Sequence, residues 1–336
     1  MTAASGSMQR TRSLNDAVGI SPAHAIYIFT WALLSIAAGY RWFGVGVDYP
    51  EYREWWDGLL SWDSVREGRF ELLFASLGLI FKRAGFSLGA YYASLIAVAL
   101  GIKFTLIYRH TRWPLLALAS YVAIFYFLHE YTQVRAAVAI AFGLLATFAW
   151  TRRNYVAAAA WLVLGATFQS SVLALGVGFV FAVSLSNAWA MVGWGVVAAA
   201  AAYVASTIDP VSVLVAFNPL VESYITTADT YEPPNIYSPQ NVLLVAAIGA
   251  SAVAALRDRE PVYRLSLAMC VLALVAFFLF YSVPAIGNRL FGLFFVFAVF
   301  LSFQSRRFDM AALAGPATLV SAAWALRNAF DQKLIG

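Results

Sequence analysis

The stretch L-G-A-Y-Y-A-S-L-I-A-V-A-L-G-I-K-F-T-L-I-Y, residues 88–108, decides the fold class of this protein. A helix of this length, at about 1.5 Å per residue, crosses the roughly 30 Å apolar core of a bilayer. The stretch contains a single charged residue, Lys103. Because Lys103 lies near one end, we expect its side chain to extend along the helix and place the ammonium group at the membrane surface. The stretch therefore predicts a membrane-spanning helix.

Similar apolar stretches recur along the whole chain. Of its 336 residues, 62% are hydrophobic and 12% are charged, against about 45–50% and about 25% in a soluble globular domain. We predict an all-α polytopic membrane protein of about 11–12 hydrophobic helices, with residues 1–22 as a cytoplasmic arm and 23–330 as a single transmembrane domain. The predicted apolar segments are 23–43, 70–84, 88–108, 114–130, 132–150, 155–169, 171–185, 189–207, 239–256, 262–281, 288–304 and 309–326.

The composition and the motifs exclude several classes of protein. The one cysteine, Cys270, lies in an apolar segment, which excludes a disulfide framework and a thiolate metal site. The sequence contains no P-loop, HExxH, GxSxG or Rossmann fingerprint, so it is not a primary ATP-driven pump. We expect no cofactor, no bound metal and no nucleic-acid partner.

The charged residues indicate which segments face the outside. Six acidic residues lie in 44–69 and four more in 208–238, out of 17 in the chain. Arginine pairs occur elsewhere, at Arg109 and Arg112 and at Arg152 and Arg153. Because cytoplasmic loops are enriched in Lys and Arg, we predict that both acidic loops face outside and that the arginine pairs face the cytoplasm.

Seven predicted segments separate the two outer loops, whereas a return to the same side requires an even number of crossings. Either 70–84 does not cross, or 155–185 forms one long crossing. We prefer the first alternative, because a helix over 70–84 is only about 22 Å long and is expected to be partly embedded at the outer side. This topology brings seven polar residues to the outer face, namely Asp48, Glu71, His129, Glu130, Arg135, Gln169 and Arg289.

Two arginines on this face are candidate phosphate ligands. Arg135 begins an otherwise apolar helix, and its planar guanidinium matches the geometry of a phosphate group. The alternatives for Arg135 are an interfacial position or an ion pair with Glu130. Arg289 follows a Gly-Asn pair at a predicted helix start, where backbone N–H groups also favour an anion. Its alternative role is that of a plain interfacial anchor.

Two acidic residues are candidates for a general base. Asp48 lies just before Pro50, so it either caps a helix or accepts a proton. Tyr52, four positions later, would share a helix face with it. Glu71 begins the short helix and either pairs with Arg69 or acts as the base.

The order of the motifs resembles that of the EpsG family of bacterial exopolysaccharide polymerases, which are Wzy-like proteins. The run G-Y-R-W-F-G-V-G-V-D-Y-P-E-Y at 39–52 is similar to the family signature, and 68–73, 133–139 and 168–173 resemble later motifs. Gln169 replaces a histidine of the family, and Gln cannot transfer a proton at neutral pH. The resemblance and the predicted face together select Asp48 and Glu71 as catalytic residues. They also select eight substrate-binding residues, namely Arg41, Tyr52, Arg69, His129, Arg135, Gln169, Ser170 and Arg289.

The resemblance implies a GT-C-like membrane glycosyltransferase. It would polymerise oligosaccharide repeat units carried on undecaprenyl diphosphate, at the outer face of the bacterial cytoplasmic membrane, for exopolysaccharide, capsule or O-antigen. A flippase and a chain-length regulator are its expected protein partners. A transferase that uses a polyprenyl-phosphate sugar and a transporter of the same pathway stay open as alternatives.

Overall fold

The computed structural model describes residues 22–42, 48–68, 70–184, 188–206, 261–280 and 284–304. These residues are predominantly helical and contain no strand, which confirms the all-α polytopic fold class. The predicted arm up to residue 21, the loop 208–238, the segments 239–256 and 309–326, and Arg69 lie outside the described residues.

The helices follow the predicted segments, and each of the ten segments that fall on described residues contains helix. The α-helices are α1 Pro22–Gly39, α2 Tyr49–Gly58, α3 Trp62–Arg66, α4 Leu72–Arg83, α5 Leu88–His110, α6 Pro114–Tyr121, α7 Val134–Thr151, α8 Tyr155–Ala166, α9 Leu175–Ser184, α10 Ala188–Ser206, α11 Pro261–Leu279, α12 Pro284–Phe295 and α13 Ala298–Gln304. A π-helix, Val122–Thr132, continues α6, and a 3-10 helix, Ser170–Ala174, precedes α9.

Six stretches of helix are long and apolar enough to cross a membrane. They are Pro22–Gly39, Leu88–His110, Pro114–Thr132, Val134–Thr151, Pro261–Leu279 and Ile286–Phe303. Helix is the expected form here because a backbone surrounded by lipid must satisfy all its N–H and C=O groups internally. The protein is therefore a multi-pass membrane protein.

Helix α4 does not cross the bundle, as the short length of segment 70–84 predicted. Near its start, the Phe74 carbonyl accepts a hydrogen bond from the Tyr91 hydroxyl, and Tyr91 lies near the start of α5. At its end, Phe81 still packs against the same Tyr91 ring, with centroids 5.4 Å apart, and Lys82 donates to the Asp57 carbonyl of α2 at 2.9 Å. Both ends of α4 therefore lie at the end of the bundle where α5 begins.

The alternative of one long crossing over 155–185 is wrong. Helix α8 runs antiparallel to α7, since Tyr155 packs on Trp150 and Trp161 stacks on Phe142. After the 3-10 helix the direction reverses, because Phe179 of α9 stacks on Trp150 again, with ring centroids 4.9 Å apart. Helices α8 and α9 are thus two separate passes along α7.

A close helix contact sets the position of the chain that follows α1. A side chain at Gly39 would have its Cβ atom only 2.5 Å from the Ala93 Cβ atom of α5. Small residues at this crossing let the two backbones approach, as is common between membrane helices. The contact holds residues 40–42 against the beginning of α5.

Candidate active site

Arg135, the second residue of α7, lies at the centre of the candidate site. Its Nη1 donates a hydrogen bond to Glu71 Oε2 at 2.6 Å, and its Nε donates to the Tyr52 hydroxyl at 3.1 Å. The guanidinium carbon also lies 4.4 Å from the centroid of the Phe70 ring. A planar guanidinium can serve two hydrogen-bond partners while it stacks on a ring, which an ammonium group cannot do. These contacts hold Arg135 in one orientation.

Glu71 has a partner that the sequence did not suggest. Arg69 lies outside the described residues, and the Glu71 carboxylate pairs with Arg135, 64 positions away. The two side chains stay 22% and 19% exposed, so the ion pair remains accessible from the surface. The suggested alternative of a pair between Arg135 and Glu130 is therefore wrong.

Glu130 instead forms an ion pair with Lys103 inside the bundle. The Lys103 Nζ lies 2.5 Å from Glu130 Oε1, and both side chains are fully buried. The Tyr121 hydroxyl donates to the same carboxylate oxygen at 2.6 Å. The expectation that Lys103 reaches the membrane surface is therefore wrong. The ammonium can stay inside the bundle because its attraction to the Glu130 carboxylate offsets the cost of losing its water.

Arg41, which follows α1, lies within a cage of three tyrosine rings. Its guanidinium carbon is 5.2 Å from the ring centroid of Tyr49 and 5.1 Å from those of Tyr92 and Tyr131. Its Nε and Nη1 atoms are buried and have no hydrogen-bond partner among the described residues. Buried N–H donors without acceptors carry a free-energy cost, which an anionic ligand would remove.

Asp48 lies close to the same arginines. It occupies the N-cap position of α2, but its side chain makes no capping hydrogen bond, so a capping role does not account for its carboxylate. Burial raises the pKa of Asp48, and the nearby carboxylate of Glu51 raises it further, whereas Arg289, Arg135 and Arg41 act in the opposite direction. The structure thus brings one half-buried carboxylate together with three guanidinium groups from three different parts of the chain.

Tyr52 contacts Arg135 from the helix whose N-cap position Asp48 occupies, and the four-residue spacing puts Tyr52 and Asp48 on one face of that helix, as predicted. It lies one helical turn after Asp48 in α2 and is 4% exposed. Its ring stacks on Phe70, with centroids 5.3 Å apart, while its hydroxyl accepts the hydrogen bond from Arg135. This contact joins the first loop to the start of α7.

The other predicted site residues are placed differently. Gln169 lies at the same end of the bundle as Arg135, and its Nε2 donates to Ser171 Oγ at 3.2 Å, while Ser170 is exposed at the start of the 3-10 helix. His129 is buried in the π-helix, 1% exposed, and stacks on Phe125. The structure does not bring the His129 ring to the surface that Arg135 and Glu71 share.

Sequence reasoning missed the tyrosines that surround Arg41. Tyr92 lies near the start of the predicted segment 88–108, a position where tyrosines commonly lie at the membrane interface. The structure buries the ring completely and places it against the Arg41 guanidinium. The adjacent Tyr91 ring is buried as well, so α5 packs against protein in two directions about 100° apart at this level.

The grouping suits the binding of a phosphate-bearing molecule beside a group that accepts a proton. Three guanidinium groups offer charge-assisted hydrogen bonds to phosphate oxygens, and Asp48 adds one carboxylate near them. In the described part of the chain, no three His, Cys, Asp or Glu side chains gather as ligands of one metal ion would.

The fold and the candidate site together define a multi-pass helical membrane protein with a carboxylate and three guanidinium groups close together at one end of its bundle. The chain matches the model of the EpsG family over residues 24–309, most of its length, and it belongs to that family. EpsG proteins are Wzy-like polymerases, and membership indicates a polysaccharide-polymerase type of function on lipid-linked substrates. No curated protein and no solved structure matches the chain.

Proposed function

We propose that this protein joins oligosaccharide repeat units carried on undecaprenyl diphosphate, at the outer face of the bacterial cytoplasmic membrane. The observation that carries the proposal is the grouping of Asp48 with Arg41, Arg135 and Arg289 at one end of the bundle. A lipid diphosphate supplies the negative charge that such a grouping is suited to bind. The product is exopolysaccharide, capsule or O-antigen.

In this reaction an acceptor hydroxyl oxygen attacks the anomeric carbon of the donor glycan. The bond from that carbon to the diphosphate oxygen breaks, and its electron pair stays on the leaving lipid diphosphate. Arg41 and Arg289 stabilise the charge on the leaving group, together with Arg135. Asp48 takes the proton of the attacking hydroxyl, and its raised pKa gives the carboxylate more basicity than an exposed aspartate has.

Glu71 has a different part in this proposal. Its Oε2 already accepts a hydrogen bond from Arg135, so the carboxylate is engaged in holding that guanidinium. The Asp48 side chain makes no capping hydrogen bond to α2, so its carboxylate is not held in this way. We therefore assign proton transfer to Asp48 and the orientation of Arg135 to Glu71.

The arrangement of the helix ends supports action at the outer face. Arg135 lies at the beginning of α7, whereas Arg152 and Arg153 follow its end and Arg109 lies at the end of α5. Arginine clusters favour the cytoplasmic side, so the site lies on the opposite side of the membrane. This location requires a flippase to deliver the lipid-linked units and suits a partner that regulates chain length.

The test is polymerisation by the purified protein in lipid vesicles, given an undecaprenyl-diphosphate oligosaccharide and analysed by the length of the products. Asp48→Asn should lower the rate by on the order of 10²–10⁴. The control is Glu54→Gln, which neutralises an exposed acid of the same helix and should retain activity. Glu71→Gln should lose less, because Arg135 keeps its bond to Tyr52.

The outcomes separate the assignments. A ladder of products supports a polymerase, whereas addition of a single sugar from a polyprenyl-phosphate donor would favour the other class of transferase. Normal polymerisation by Asp48→Asn together with loss in Glu71→Gln would move the role of base to Glu71. Normal activity in both variants would exclude both as the base.

A further inference from the structure

A second site lies at the opposite end of α5 and α7 from Asp48. A cavity of about 620 Å³ opens between α5, α7 and α8, within the usual range of ligand-binding pockets. Residue 101 lies at its inner end and Arg109 at its mouth, so it extends about 12 Å along α5. We call this cavity the basic groove and define it by Leu106, Arg109, Phe148, Arg152, Asn154 and Trp161.

The mouth of the basic groove carries positive charge. Arg109 and Arg152 are exposed there, and none of the lining residues is acidic. The N-terminus of α8 adds the positive end of a helix dipole. The Asn154 Oδ1 atom caps it by accepting from the Ala157 N–H, which leaves the amide NH₂ of Asn154 as a further donor.

Apart from Thr105, the side chains that line the interior of the basic groove are apolar, in contrast to its mouth. Leu106 is buried, and Trp161 and Phe148 supply aromatic walls. The His110 ring stacks on Phe148, with centroids 4.1 Å apart, and closes one side. A ligand that fits both parts has an anionic head and an apolar chain directly attached to it.

We propose that the basic groove binds an anionic phospholipid from the leaflet opposite to the candidate active site. The phosphodiester lies between Arg109, Arg152 and the Asn154 amide, and the beginning of one acyl chain lies along Leu106 and Trp161. Basic pockets between membrane helices bind such headgroups on the cytoplasmic side, where anionic lipids are concentrated. The site uses none of the residues assigned to sugar transfer, so it stands independently of the proposed function.

The experiment measures lipid retention by the full chain, purified in a mild detergent and analysed by native mass spectrometry. Phosphatidylglycerol is compared with phosphatidylcholine, which has the same phosphodiester but no net charge. We expect a preference for phosphatidylglycerol and a loss of about fivefold in its binding with Arg109→Gln or Arg152→Gln. Arg153→Gln removes a charge that is also exposed but does not line the groove, and should retain binding.

A second variant tests the apolar part of the groove without altering its charge. Ala157→Trp fills the space near Trp161 and should reduce binding of phosphatidylglycerol while both arginines remain. The thermal midpoint of each lipid-free variant shows that it is folded. Equal retention of the two lipids, an equal loss with Arg153→Gln, or retention of undecaprenyl phosphate in place of phosphatidylglycerol would overturn the proposal.

Discussion

Replacing Glu130 with Gln would leave the Lys103 ammonium without its counter-charge inside the helix bundle. The two groups lie 2.5 Å apart, and neither side chain is exposed. Gln keeps the shape of Glu and can still accept the hydrogen bond from the Tyr121 hydroxyl. The change therefore isolates the loss of charge from any loss of packing.

The magnitude follows from the burial of the pair. Breaking a buried ion pair by removing one partner costs about 3–5 kcal/mol, because an uncompensated charge remains in a medium of low dielectric. Lys103→Met should cost a similar amount, since it leaves the Glu130 carboxylate with the Tyr121 hydroxyl as its remaining partner among the described residues. The double variant carries no buried charge, so its stability should return to within about 1–2 kcal/mol of the original protein.

The assay is reversible unfolding in mixed micelles of a mild detergent and dodecyl sulfate, which gives the free energy of unfolding of each variant. Ser94→Ala is the control, since it alters an exposed position of the same helix, α5, and should change stability by less than about 0.5 kcal/mol. A cost of less than about 1 kcal/mol for Glu130→Gln would refute the buried ion pair as the source of this stability. A double variant as unstable as the sum of its two single changes would refute it as well.

Three further predictions concern the candidate site and its orientation. Arg135→Lys should lower the rate of polymerisation by on the order of 10²–10³ while the protein stays folded. The reason is that one ammonium group cannot replace a guanidinium that is bonded through both Nε and Nη1. Turnover at the wild-type rate would refute this prediction. The apparent pKa of the acidic limb of the pH–rate profile should lie above the ordinary Asp pKa of 3.8, since burial raises the pKa of Asp48 and only its ionised form accepts the proton. An apparent pKa at or below 3.8 would contradict the assignment of Asp48 as the base. A thiol reagent added from outside should label Glu54→Cys and not Arg153→Cys. The native Cys270 is buried and should not react. The reverse labelling pattern would show that the topology is inverted.

The sequence determined the fold class and the position of the helices. Apolar stretches of about 20 residues can satisfy their backbone groups in lipid only as helices, so local composition suffices to predict them. The short length of 70–84 also predicted that this segment does not cross. The charge distribution and the motif order together selected Asp48, Tyr52 and Arg135, which the structure brings close together.

The tertiary structure decided which charged groups meet. Arg135 bonds to residues 64 and 83 positions away, and Lys103 pairs with a residue 27 positions away. The sequence suggested nearby arginines as alternative partners of Glu71 and Glu130, and it predicted that Lys103 reaches the membrane surface. A charge without bulk water lowers its free energy by reaching an opposite charge, wherever the chain supplies it. Which opposite charge lies within reach depends on how the helices pack against one another, and no local pattern encodes that.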